Sequence, residues 1–394
     1  ANTPFDLSAD LMVRARLLVL AEQESLLLLT LHHIASDGWS LSVFTDEFVS
    51  LYEHALTGQQ ENPLAPLMLQ YGDYAHWQRT HMQGYAQALH RDYWLEQLHG
   101  FPQVHSLPLD KPRPATQSYN GAAITRELNP ALTQSLRGLA RQQHATLFML
   151  INAAFTSLLR AYTGSDDQVI GTTIANREQS GVAGLIGFFV NTLVLRNRLN
   201  PAMAFTELLA HCKTVSLEAY AHQEMPFDLL VEELQPERSL GYNPIFQIML
   251  SLENIDNRRE LDMGGVTLSV VDSAPVTTSQ FDLTLDIHEG EDQLVLSWSY
   301  ATDLFYAATI ERMAAHFEHL LSAIVANPDL PLYQINRLAD DQRAHLLYSL
   351  NNTDQPELFK TTWPECFLAQ AHKTPLAIAA QCDDHQLSYA DLEV

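Results

Sequence analysis

The sequence predicts an α/β (α+β) protein of two lobes, each a mixed sheet packed by helices. Three observations predict it. The chain has 394 residues, too many for one ordinary core. Strand-like and helix-like segments alternate twice along it, the pattern of helices layered on sheets. Between the two runs lies LPLDKPRPATQSYNG (107–121), with three prolines and no helical period, which reads as a joint.

LMVRARLLVL (11–20) and the run at 25–32 read as two strands joined by the polar turn AEQE. The second run is apolar on both faces, so a buried central strand is expected. A helix is expected from about Ser40, with Leu41, Phe44, Phe48, Leu51 and Ala55 at helical spacing and Gly58 as its stop. Two helices are expected across 68–99, with Tyr71, Tyr74 and Trp77 on a packing face. After the joint come a strand at 122–128, a helix from Pro130, and a long apolar helix at 147–162 with Thr146 as N-cap. DQVIGTTIAN (167–176) and GFFVNTLVLR (187–196) read as strands, with Phe188, Phe189 and Val190 as strand core. A helix at 204–221 follows, then strands near 245–252, 266–271, 281–287 and 293–300, and a helix at 307–325. Four regions result: 1–110, 111–326, a linker at 327–345, and a final piece at 346–394.

Composition narrows the function. Apolar residues make up 46% of the chain, enough for packed cores. The 22 basic and 47 acidic residues leave a net charge of −25. So acidic a body argues against nucleic acid as a partner, because phosphate contacts need clustered Lys and Arg. Cys212, Cys366 and Cys382 lie far apart and form no CxxC pair, which suits a reducing cytoplasm. Apolar runs such as SLLLLTL (25–31) fall well short of a membrane span, so no membrane partner is expected. The opening ANTPFDLSAD lacks the basic and apolar segments of a signal peptide.

One short stretch concentrates the chemistry: LHHIASDGWS (31–40) places two histidines at a strand end, four residues before Asp-Gly. Three readings stand side by side. The histidines cap backbone groups and Asp-Gly is turn chemistry. Or His33 and Asp37 converge on a metal, although no third ligand sits at a recognised spacing and no metal is assigned. Or His33 does acid–base or positioning work, as an imidazole that titrates near neutrality can.

HHIASDGWS resembles the HHxxxDG signature of nonribosomal peptide synthetase condensation domains. YGDYAHW (71–77), IGFFVNTLVLR (186–196), HQEMPFD (222–228) and RSLGYNPIFQIML (238–250) are similar to four further motifs of that family, in order. The likeness runs to roughly residue 340. The tail, with LLYSLNNTDQ and FLAQAHKTPLAIAAQCDDHQLSYADLEV, is similar to the opening of an adenylation domain.

The resemblance implies a chloramphenicol-acetyltransferase-like fold, two lobes in a V with a tunnel to the site between them. It implies that donor and acceptor peptidyl carrier domains deliver phosphopantetheine-bound thioesters and that an adjacent adenylation domain is a further partner. No cofactor is expected to be bound by the domain itself. It also assigns roles: His33 at the reaction centre, Gly38 as a backbone amide near the oxyanion, and His32 and Asp37 as structural support. Trp39, Asn191 and Ser279 become candidates for tunnel or substrate contact. HQEMPFD is expected to enter a helix with Pro226 in its first turn, and Arg196 either ends a strand or meets a phosphate. Condensation domains carry an earlier segment with S-x-A-Q and R-H-x-x-L-R motifs, absent before residue 31. The first lobe is therefore expected to be incomplete, with the arginine partner of Asp37 in the absent part.

The resemblance supports peptide-bond formation first. An epimerising domain continues differently after the glycine, and a heterocyclising domain replaces the histidines by aspartates. A non-catalytic docking platform for carriers or tailoring enzymes is the rival from another class, and such domains usually lose the second histidine.

Overall fold

The computed structural model describes all residues except 1–2, 59–60, 254–259, 272–275, 291, 355–359 and 394. The chain divides into two compact units, Ala1–Arg337 and Leu338–Val394.

The first unit opens with β1 (Val13–Ala21) and β2 (Glu24–Leu31), an antiparallel pair that forms its own two-stranded sheet. Then come α1 (Gly38–Thr57), α2 (Tyr71–His81) and α3 (Gly84–Gln97). Beyond the joint lie β3 (Gly121–Glu127), α4 (Pro130–Gln142), α5 (Leu147–Thr163), β4 (Asp167–Ile174) and β5 (Asn191–Arg198). They are followed by α6 (Phe205–Ala221), α7 (Phe227–Leu234), β6 (Ile248–Glu253), the short pair β7 (Glu260–Asp262) and β8 (Thr267–Ser269), β9 (Leu283–Glu289), β10 (Leu294–Ala301) and α8 (Ala307–Ala326).

Six of these strands form one sheet in the order β3-β10-β9-β6-β4-β5. It is mixed, because β6 runs parallel to both β9 and β4 while the other pairs are antiparallel. The period-2 pattern of β9 and β10 sends Leu283, Leu285, Ile287, Leu294, Leu296 and Trp298 into the core. There Trp298 meets Phe155 of α5 and Phe317 of α8 edge-on. Phe148–Leu159 of α5 is buried throughout, as its apolar sequence requires. Local signals set the ends: Thr146 caps α5 through Met149 N, and Gly58 closes α1 in the left-handed region (φ 68°). No single described helix is long and apolar enough to cross a membrane.

The joint wraps onto the second half through specific bonds. Asp110 accepts from Tyr306 N (2.8 Å) and Thr309 Oγ1 (3.0 Å) at the start of α8, and Lys111 Nζ donates to Thr302 O (2.6 Å).

Several expectations need correction. β2 is no buried central strand: among the described strands it pairs with β1 alone, so the first 110 residues hold a hairpin and helices rather than a mixed sheet. With no second neighbour to cover it, Leu28 is 44% exposed. Residues 187–190 are not strand, because the amides of Gly187 and Phe189 donate to side chains of the first segment; the ladder with β4 begins at Ile174–Asn191. Pro226 is the N-cap of α7, one residue before its first turn. The segment expected as a linker is divided: Leu332 and Ile335 are buried in the first unit's core, where Leu332 N bonds Met203 O.

The second unit holds α9 (Asp340–Ala344), a wide helical turn at His345–Ser349, α10 (Trp363–Lys373), the antiparallel pair β11 (Ile378–Cys382) and β12 (His385–Ser388), and α11 (Tyr389–Leu392).

Candidate active site

β2 ends at Leu31, and one turn of 3₁₀ helix at His33–Ala35 leads into α1. His32 caps that turn: its Nδ1 accepts from Ile34 N at 3.0 Å, and its ring meets Phe5 edge-on. His32 thus supports the loop.

His33 is different. Its ring is exposed and stands edge-on to Phe188, with centroids 5.0 Å apart. Its Nδ1 lies 2.6 Å from Ser36 O. A carbonyl oxygen only accepts, so Nδ1 carries the proton and Nε2 keeps its lone pair in the neutral ring. That tautomer suits an imidazole that receives a proton.

Asp37 caps α1 and ties the loop to the other half of the unit. Its Oδ1 accepts from Ser40 N (2.8 Å), Ser40 Oγ (2.7 Å) and Arg177 Nη2 (2.9 Å); its Oδ2 accepts from Phe189 N (2.9 Å). Burial alone would raise this carboxyl, but the Ser40 and Phe189 donors and the Arg177 charge outweigh it and hold the group below the usual carboxylate range. Arg177 is the partner expected in an absent segment. It stands instead just after β4, and its Nη1 also donates to Leu185 O (2.7 Å) and Val182 O (3.1 Å). Its guanidinium lies 4.1 Å from the Phe189 ring centroid. Only one local signal could have found it, an arginine in a polar loop directly after a strand. Both charged side chains are buried, 3% and 4% exposed, so the pair fixes geometry rather than adding much net stability.

Ser40 completes the seam. Its Oγ accepts from Gly187 N (3.1 Å) and Arg177 Nη2 (2.8 Å), and it lies 2.9 Å from Gly187 O. Gly38 is the first residue of α1, where amides lack intrahelical acceptors and the helix dipole favours negative charge. Trp39 is half-exposed and donates its indole N–H to Ala183 O at 2.9 Å, so one edge of that ring docks on the 175–190 loop.

The remaining candidates lie elsewhere. Asn191 commits its amide: Nδ2 donates to Gln223 O (2.9 Å) and Met225 O (2.8 Å), and Oδ1 accepts from Phe227 N (3.1 Å). It locks the HQEMPFD loop rather than presenting free donors to a tunnel. Ser279 is 6% exposed; its Oγ donates to Phe281 O, and it lines a small open pocket with Arg113, Asn120 and Asp282 that does not include His33. Arg196 is a structural clasp, bonded to Asp167 and to the carbonyls of Gln97, His99 and Gly100, so no phosphate role remains for it. The aromatics of YGDYAHW pack: Tyr71 and Tyr74 close on Phe189 at 5.1 and 4.6 Å in a small core with Val182 and Leu185. Among the described residues no group of three or more His, Cys, Asp or Glu could hold a metal ion.

This arrangement offers a proton acceptor at His33 Nε2 and helix-start amides on one loop braced from behind. Known proteins resemble the chain as a whole. A linear gramicidin synthase polypeptide of Brevibacillus parabrevis is 40% identical over 395 residues, 100% of this chain and 5% of that protein's length. The X-domain from teicoplanin biosynthesis, solved in complex with OxyB, is 27% identical and superposes with a TM-score of 0.77, covering 86% of this chain and 76% of that one. A four-domain nonribosomal peptide synthetase matches in fold with a TM-score of 0.81 at 24% identity, over 99% of this chain and 30% of its own. The family model for the condensation domain matches residues 1–347, from the hairpin that delivers His33 through the sheet that anchors Arg177, and the chain belongs to the condensation-domain family.

Proposed function

We propose that this chain forms peptide bonds as the condensation domain of a nonribosomal peptide synthetase. The amine of a carrier-bound aminoacyl thioester attacks the carbonyl of a carrier-bound acyl or peptidyl thioester. A C–N bond forms, the C–S bond breaks, and the lengthened chain stays on the acceptor arm. The amine loses one proton and the departing thiolate needs one. His33 Nε2 is suited to carry that proton or to hold the amine in line for attack. The Gly38 amide is suited to the oxyanion of the tetrahedral intermediate. Because amine attack on a thioester is intrinsically feasible, aligning the two arms supplies a large share of the acceleration.

The observation that carries this reading is the 2.6 Å contact of His33 Nδ1 with Ser36 O, which leaves Nε2 of an exposed ring open. The test loads donor and acceptor carriers in the synthetase that contains this chain and follows amide product by mass spectrometry. His33→Ala is expected to lower the rate by about 10²- to 10⁴-fold if His33 is a general base. A variant as fast as the parent overturns the assignment.

A docking platform is the second reading. It is favoured by the likeness to the X-domain solved with OxyB. Amide product that depends on His33 decides against it. The final residues fit the start of an adenylation domain: the family model stops at 347, while the gramicidin synthase match continues through the whole chain. Donor and acceptor carriers and that adenylation domain are the proposed partners, in the cytoplasm.

A further inference from the structure

We propose that Tyr71 is a positioning residue for His33, acting through the carbonyl and ring of Phe188. It rests on the reading of His33 as the reacting imidazole. Tyr71 opens α2, and its hydroxyl donates to Phe188 O at 2.8 Å. The Phe188 ring is the one that stands edge-on to His33. Tyr71 therefore holds the backbone of the residue that sets one wall of the imidazole. The loop is shaped around this tyrosine: a methyl group on Gly187 would overlap Tyr71 Cδ2 and would also crowd Phe189 Cε2. Tyr71 further packs against Phe189, whose amide is bonded to Asp37. Burial, and then the Asp37 charge, push the Tyr71 phenol up from its ordinary value, so it remains a proton donor across the working range.

His33 is held from two sides. Ser36 O sets the tautomer, and Phe188 limits how far the ring swings. Loss of the Tyr71 hydroxyl frees the Phe188 carbonyl and lets that wall drift, while the phenyl ring still fills the space beside Gly187.

Tyr71→Phe tests this by removing one oxygen. In the carrier-loaded synthetase its kcat is expected to fall about three- to tenfold, the worth of one hydrogen bond, with KM for the carriers unchanged. In chain labelled with ¹⁵N-histidine, the His33 ring signals, assigned with His33→Gln, are expected to shift. In a Phe188→Ala background Tyr71→Phe is expected to add no further loss. Tyr74→Phe is the control, because the Tyr74 hydroxyl meets Asn176 and Gln78 but not Phe188 O. A Tyr71→Phe protein with a lower melting temperature but unchanged His33 signals and kcat overturns the proposal. So does an equal His33 shift in Tyr74→Phe, which would mark general loosening of that core. If His33→Ala keeps full activity, the catalytic reading fails while the ring signals still report whether Tyr71 sets the imidazole.

Discussion

Two buried aspartates in this chain keep similar company to different ends. Asp37 pairs with Arg177 close to His33; Asp282 pairs with Arg113 and with His105 Nε2 at 2.7 Å. At the second cluster the histidine is spent. Its Nε2 faces the carboxylate, its Nδ1 accepts from Leu107 N at 3.1 Å, and its side chain is 7% exposed. At the first, the imidazole bonds a backbone carbonyl through Nδ1, and the ring lies open. Residue type alone does not separate a histidine used as a strut from one left open. The difference lies in whether a ring nitrogen is left over and whether the ring is exposed.

The largest effects should come from breaking either pair. Arg177→Met leaves the buried Asp37 carboxylate without a cation and should cost roughly 3–5 kcal/mol in urea unfolding, whereas Arg113→Met leaves Asp282 still bonded to His105 and should cost less. Only the first should also move the His33 ring signals, because Asp37 and Arg177 brace the loop that carries it. An Arg177→Met protein that unfolds at the parental urea concentration would break the comparison, since the seam would then not be structural.

A third aspartate sharpens it at lower cost. Asp286 sits in β9 between Ser251 and Ser297 on the neighbouring strands and has no side-chain hydrogen bond or ion pair among the described residues. Burial, and then the nearby Glu253, push it up to about 7. In the window from about pH 4 to 7 the folded chain holds a proton there that the unfolded chain has released, so stability falls as pH rises through it. Asp286→Asn should gain about 1–3 kcal/mol at pH 8 and little at pH 4, read by thermal melts across pH. Asp37 and Asp282, both lowered, act in the opposite sense: their stabilisation is present above the ordinary carboxylate value and is lost as pH falls through their folded values. The smallest effect is expected for Ser40→Ala, about 1–2 kcal/mol, from the Gly187 amide left without its acceptor. A neutral result there would mean that water replaces the hydroxyl.

Strong periodicity made most helices readable in advance. α1, α5 and α8 stand where apolar spacing, Gly58 and Thr146 put them. The HHxxxDG stretch pointed to His33 and Asp37. What the sequence hid was pairing at a distance. Arg177 is 140 positions from Asp37, and nothing local to either announces the other. The same holds for 187–190, whose apolar letters read as strand although their amides serve Ser40 and Asp37. Asn191 stood out as polar among apolar neighbours, but only coordinates reveal that it faces a loop. β2 misled for the converse reason: an all-apolar strand predicts two covered faces, and a hairpin covers fewer.

The Asp37 carboxylate grips an amide at Ser40 and another at Phe189, so two remote stretches of chain share one anchor. Anyone grafting loops between related condensation domains inherits that bond. A chimera that takes residues 32–40 from one parent and 177–189 from another splits donor from acceptor, whereas exchanging both stretches together keeps the lock and its keyhole in one piece.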